Sequence, residues 1–376
     1  MRNRKTKAAA LIATAAASAS ITFPANPAYA DEVRNLQWHI PYLHLAEAHK
    51  IATGADIKVA LIDSGVFPHR DFSRNLRKGT DTVPGGDGSG LVDKDGHGTR
   101  MAGVIVGHGH GTNDGILGVA PDAGLIPVKA IGVKDNGQGV ADGIEWAAKE
   151  GADVINVSTS GGTSRAITQA VAAAVAADAV VVAGTGNDWE NLRLGYPAAL
   201  PEVLAVGAVD KQGKHAKFSL TGPEVRICAP GVDIATTGKN NKYEKADGTS
   251  EATAIVSGAA ALVRAKFPDL SAAEVIHRLT ATADDNGPPG RDDQCGYGVL
   301  NVVKALTAEV PPLEGGTAAT ASAQPSVAAP SVDSSTAPET EAEESNLPVI
   351  AGVAGGIAVL GVLLAFLVRR LRKPTA

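Results

Sequence analysis

Basic residues are scarce where a nucleic-acid binder would need them. The 376-residue chain holds 34 Lys+Arg against 40 Asp+Glu, a net charge of −6. Arg2, Arg4, Lys5 and Lys7 stand in the first 30 residues and Arg369, Arg370, Arg372 and Lys373 in the last eight, neither stretch carrying an acid. The residues between them therefore hold −14. A body that acidic lacks the clustered cations that grip phosphate, which excludes nucleic acid as a partner. Metal ligands are equally thin. His108 and His110 in Gly107-His108-Gly109-His110-Gly111 have no third ligand near them, and no loop is dense enough in oxygen ligands to suggest calcium. We expect no metal and no cofactor. Cysteine is limited to Cys228 and Cys295, and no internal repeat is visible. Apolar residues are plentiful at 44%, ample for one large core, while 20% charged residues rule out wholesale disorder.

Both ends are written for a membrane. A basic start, an Ala-rich apolar run over 8–23 and the small-x-small sequence Ala28-Tyr29-Ala30 predict a signal peptide over 1–30, with Asp31 the mature start. An alanine-rich N-terminal helix is the alternative, although Pro24 and Pro27 would break it. Residues 347–368 form 22 positions without a charge. At about 1.5 Å per residue they reach about 33 Å, enough to cross the hydrocarbon layer. The basic cluster that follows, within a 369–376 tail, belongs in the cytoplasm by the positive-inside rule. Between body and span, 308–346 is rich in Pro, Ala, Ser and Thr, has seven acids and no base, and reads as a solvated linker.

From residue 57 onward short β-branched runs alternate with helical patterns. Strands are expected at 57–62, 125–130, 153–157, 180–183 and 203–209, near-continuous apolar runs typical of strands buried on both faces. Helices are expected at 140–149 and 164–177. This alternation predicts an α/β fold with a mainly parallel sheet, whose active site forms at the carboxyl ends of the strands.

Four short motifs could supply chemistry there. Asp63 ends the first strand, where a carboxylate can project into a site and orient a histidine; alone it would be a turn residue. His97, in Asp95-Gly96-His97-Gly98-Thr99, opens a helix between glycines and can face a cleft. Asp93 and Asp95 are expected to shape that loop. Ser250 follows Gly248-Thr249 at the start of a helix over 251–266, where backbone N–H groups can receive negative charge; alone it would be an N-cap. Asn187, after Gly186, could donate a second hydrogen bond to an oxyanion. The order acid, histidine, serine is that of the subtilisin arrangement; α/β-hydrolases run serine, acid, histidine, which removes an esterase of that kind.

On these residues the sequence resembles the subtilisin-like serine proteases, or subtilases. The matching motifs are Ala60-Leu61-Ile62-Asp63-Ser64-Gly65-Val66, Gly96-His97-Gly98-Thr99, Val154-Ile155-Asn156-Val157-Ser158, Gly186-Asn187, Ala229-Pro230-Gly231, Gly248-Thr249-Ser250 and Tyr297-Gly298. Within the family the signal, the Trp38-His39 lead-in, the Gly-rich insert Gly85-Gly86-Asp87-Gly88, the stalk and the span resemble the mycosins, membrane-anchored proteases associated with type VII secretion. The resemblance implies a three-layer subtilisin-like fold over 57–307, preceded by a 31–56 extension that wraps the body. It implies a membrane-held extracytoplasmic endopeptidase acting on protein or peptide substrates, with a type VII secretion membrane complex as partner. Ser250 would be nucleophile, His97 the base, Asp63 its orienter and Asn187 an oxyanion donor. Ser158, Thr159 and Ser160 would pair with the substrate backbone, with a facing strand near 137–140. Cys228 and Cys295 would flank the Ser250 helix; an exported chain with two cysteines favours a disulfide, the alternative being two buried thiols.

The pattern departs from the family after the nucleophile, where Glu251-Ala252-Thr253-Ala254 stands in place of a small or apolar residue and Ala-Ala-Pro. A carboxylate beside an oxyanion hole opposes the charge that develops there, although it also suits the first turn of a helix. A weakly active or inactive structural component of a secretion complex is the alternative function.

Overall fold

A computed structural model describes residues 21–22, 27–111, 113–132, 137–159, 162–187 and 193–313. The expected linker from 314, the span, the tail and most of the signal peptide lie outside the described residues. No helix among the described residues is long and apolar enough to cross a membrane.

The chain opens with β1 (Ile21–Thr22), α1 (Pro27–Leu36), which runs through the expected cleavage point, and two four-residue turns of helix, α2 (His39–Tyr42) and α3 (Leu45–Ala48). Then come β2 (Lys58–Asp63), β3 (Thr80–Asp81), α4 (His97–Val106), β4 (Gly124–Lys129), α5 (Gln138–Lys149), β5 (Val154–Val157), α6 (Arg165–Ala176), β6 (Val180–Gly184) and β7 (Leu204–Val209). The chain continues through β8 (Ile227–Pro230), β9 (Ile234–Gly238), β10 (Lys242–Ala246), α7 (Thr249–Lys266), α8 (Ala272–Ala281) and α9 (Val302–Thr307). Seven strands form one parallel sheet in the order β3-β4-β2-β5-β6-β7-β8. β9 and β10 form an antiparallel hairpin joined at its edge by β1.

Alternation along the strands builds two cores. Val59 and Leu61 of β2 pack into the layer that holds α4 and α7, while Ala60 and Ile62 pack toward α5 and α6. Val180 and Val182 against Val181 and Ala183 repeat the division on β6. The result is a three-layer α/β/α domain whose strands are apolar on both faces, as the near-continuous runs require. α7 lies in the first core, and its Ala- and Gly-rich composition lets it be buried along nearly its whole length.

The extension ahead of β2 is strapped to the body by specific bonds. Gln37 pairs with the backbone of Leu117 in both directions at 2.8 and 2.9 Å, Trp38 Nε1 donates to Val232 O at 2.9 Å, and Leu45 and Ala48 are buried. At the far edge Cys228 of β8 and Cys295 are joined by a disulfide with Cα atoms 5.0 Å apart, closing 67 residues of chain.

Candidate active site

Asp63 is the last residue of β2, at the carboxyl end of the sheet's central region, and is fully buried. Its Oδ1 accepts the Ser64 N–H at 2.7 Å. His97 is the first residue of α4, and its Nδ1–H donates to Asp63 Oδ1 at 2.8 Å and Oδ2 at 2.9 Å. A carboxylate can only accept here, so this contact fixes the tautomer and leaves Nε2 free to act on a substrate proton. Two glycines permit the approach. Gly96 turns the chain with φ +103°, and a Cβ on Gly98 would stand 2.1 Å from Gly65 O and 3.2 Å from Asp63 Oδ1.

The loop ahead of α4 is held by Asp93, which is buried. Its Oδ1 accepts from Ser64 Oγ at 2.9 Å and Gly96 N at 2.7 Å, and its Oδ2 from Thr99 N at 3.0 Å and Thr99 Oγ1 at 2.5 Å. Asp95 caps the His97 N–H at 3.1 Å. The Asp63 contact belongs to the histidine, and the Asp93 contacts belong to the backbone that carries it.

Ser250 sits in the first turn of α7, after Gly248. Its hydroxyl donates to Ser158 O at 3.3 Å, and among the described residues no hydrogen bond joins it to His97. Ser158 Oγ in turn donates to Ser250 O at 3.3 Å, Asn156 Nδ2 donates to Ser158 Oγ at 2.9 Å, and Ser257 Oγ donates to Asn156 Oδ1 at 2.9 Å. This buried chain locks the start of α7 onto the end of β5. The one signal for this link in the sequence is Asn156, an amide inside an otherwise apolar strand.

Asn187 follows β6 and accepts the Thr249 N–H through Oδ1 at 3.0 Å. With the oxygen engaged, its NH₂ is left to donate elsewhere, and no partner for Nδ2 exists among the described residues. The place where a Cβ on Gly248 would stand is 3.5 Å from Ser250 N and 3.6 Å from Asn187 Nδ2. A helix N-terminus and an amide donor directed at one space can receive a developing negative charge.

Burial opposes charge on His97, yet the attraction and hydrogen bond of Asp63, reinforced by Glu251, raise the imidazole to about 9. Glu251 itself is only 2% exposed, and burial pushes its carboxyl upward against the pull of His97 and Arg100.

Of the residues expected to pair with substrate, Ser158 and Thr159 follow β5 directly, and Ser160 lies outside the described residues. The facing strand expected near 137–140 is not a strand. Gly137, at φ +79°, caps α5, and Val140, Ala141 and Ile144 bury one face of that helix, so period 3.6 prevails. His108 and His110 are held locally, by Gly109 O and by Asp71 Oδ1.

The Peptidase_S8 subtilase family matches residues 54–298. The chain belongs to the subtilase family. It is 39% identical to subtilisin DY of Bacillus licheniformis over 278 residues, 71% of this chain and 98% of that one. Among solved structures it is similar to the serine protease MycP1, an essential component of the type VII (ESX-1) secretion system. That match has 33% identity, a TM-score of 0.66 and coverage of 77% of this chain and 92% of that one. It is also similar to the MycP3 protease from the type VII (ESX-3) secretion system, at 34% identity, a TM-score of 0.62 and coverage of 72% and 88%. This subtilase is therefore a subtilisin-like serine peptidase with mycosins among its structural neighbours.

Proposed function

We propose that the chain is a membrane-anchored, extracytoplasmic serine endopeptidase that works with a type VII secretion complex through Asp63, His97 and Ser250. In this reading Ser250 Oγ attacks the scissile carbonyl while His97 Nε2 takes its proton. The tetrahedral oxyanion is held by the Ser250 N–H and Asn187 Nδ2. Its collapse breaks the C–N bond, His97 protonates the leaving amine, and a water deprotonated by His97 then hydrolyses the acyl-enzyme. Asp63 keeps His97 in the productive tautomer and stabilises the imidazolium. Ser158 to Ser160 would receive the substrate backbone as an added strand. The observation that carries this is the doubly accepted His97 Nδ1–H at Asp63, set at the same end of the sheet as the Ser250 helix start. Membrane anchoring rests on the charge-free stretch 347–368 and the basic residues after it, and the secretion role on likeness to the mycosins.

The test is covalent labelling of the folded protein by an organophosphonate. The peptidase reading expects one adduct on Ser250, abolished in Ser250→Ala. A second reading, a weakly active structural component, is favoured by the Ser250 hydroxyl bonding Ser158 O instead of His97. Folded protein that takes no label would select it.

A further inference from the structure

Glu251 is a buried carboxylate that the catalytic reading leaves unused. At 2% exposure it makes no ion pair among the described residues and turns back toward its own backbone N–H. A helix dipole favours an acid in the first turn, but it does not require that acid to be dehydrated, and dehydrating an unpaired charge is unfavourable. Its position is more telling than its burial. The point beside Gly248 that lies 3.5 Å from Ser250 N and 3.6 Å from Asn187 Nδ2 is only 2.6 Å from Glu251 Oε2. Both proposed oxyanion donors and this carboxylate oxygen therefore border one small space, and among the described residues Asn187 Nδ2 has no hydrogen-bond partner.

We propose that Glu251 is a resident anion of the oxyanion site, which slows acylation in the resting enzyme until the carboxylate is protonated or turned out. The inference rests on the Ser250 reading above and adds a brake to it. An oxyanion forming beside a fixed negative charge meets repulsion in a poorly solvated space, where charges act more strongly than in water. The same charge adds to the pull of Asp63 on the His97 proton, which weakens His97 as a base. The cations facing Glu251 offset its charge in part but are engaged elsewhere. His97 is already bonded to Asp63, Arg100 of α4 is paired with Glu244 of β10 at 3.4 Å, and Asp247 in the turn before α7 adds a further negative charge. Lys239, alongside Gly96, donates to Lys94 O.

The experiment compares the full chain with Glu251→Gln, which keeps shape and removes charge, and Glu251→Ala. The second-order rate of fluorophosphonate labelling at Ser250 is followed from pH 5 to pH 10, with thermal unfolding to verify that each protein is folded. The account expects Glu251→Gln to label about tenfold faster or more at pH 8, with its acid limb at lower pH than the parent's. The ratio of the two rates should fall toward one as the pH is lowered and the parent's Glu251, whose carboxyl burial pushes upward, takes up a proton. Parent labelling with equal or slower labelling of both folded variants would overturn the brake and leave the peptidase reading intact. Absence of labelling in folded parent and folded variants alike would remove the Ser250 reading and the brake with it.

Discussion

Replacing Asp93 by alanine would show how much of the site depends on the loop ahead of α4. The carboxylate is 5% exposed and accepts from two backbone N–H groups and two hydroxyls. The hydroxyls of Ser64 and Thr99 can rotate toward other acceptors, but the N–H groups of Gly96 and Thr99 cannot. Leaving a buried donor unmade costs about 1–3 kcal/mol, and bonds to a charged acceptor lie at the upper end of that range. We therefore expect Asp93→Ala to lose about 4 kcal/mol of stability, or about 10 °C in Tm for a domain of this size. Because Gly96 and Thr99 bracket His97, the labelling rate at Ser250 should fall as well. Asp93→Asn keeps one acceptor oxygen, turns an amide toward the other donors, and should recover about half of the lost stability. Urea unfolding followed by fluorescence reads the first effect and stopped-time labelling the second. A folded Asp93→Ala protein within about 1 kcal/mol of the parent and equally reactive would refute the reasoning.

Three further outcomes follow from the same structure. Reduction of the Cys228–Cys295 bridge, or Cys228→Ser with Cys295→Ser, releases 67 residues and should lower stability by about 4 kcal/mol on the chain-entropy view, measured by denaturant midpoint with and without reductant. Because His97 binds its proton more tightly folded than unfolded, its contribution to stability is complete below its ordinary pKa of 6.5 and declines as pH rises toward about 9; unfolding at pH 6 and pH 9 should show that slope in the parent and lose it in His97→Ala. Deleting 31–56 removes the Gln37, Trp38 and Leu45 contacts, so it should lower Tm without raising the labelling rate, and a rise would mark that segment as inhibitory.

The parts of the fold that could be read in advance are those written in continuous local patterns. β2, β4, β5, β6 and β7 fall within a residue or so of the apolar runs, because a strand covered on both faces is apolar at nearly every position. α6 and α7 followed from helical composition. β8 was not legible: four residues beside Arg226 carry little pattern, and pairing with β7 and the Cys228–Cys295 bond place them. The β9–β10 hairpin escaped for the same reason, since the charges of Lys242, Glu244 and Lys245 interrupt any apolar run. At the site, the residue types and their order pointed to Asp63, His97, Ser250 and Asn187. The Asn156–Ser257 link and the position of Glu251 beside Asn187 depend on side-chain directions across α7 and β5, and no spacing along the chain encodes those.

The claim that these side chains form one catalytic unit is tested most directly by hydrolysis of a chromogenic peptide with Ser250→Ala, His97→Ala and the double variant. Groups acting as one unit fail together, so the account predicts that all three proteins drop to the same residual kcat/KM. A double variant slower than either single one by the product of their separate losses would contradict it, because each residue would then be acting alone.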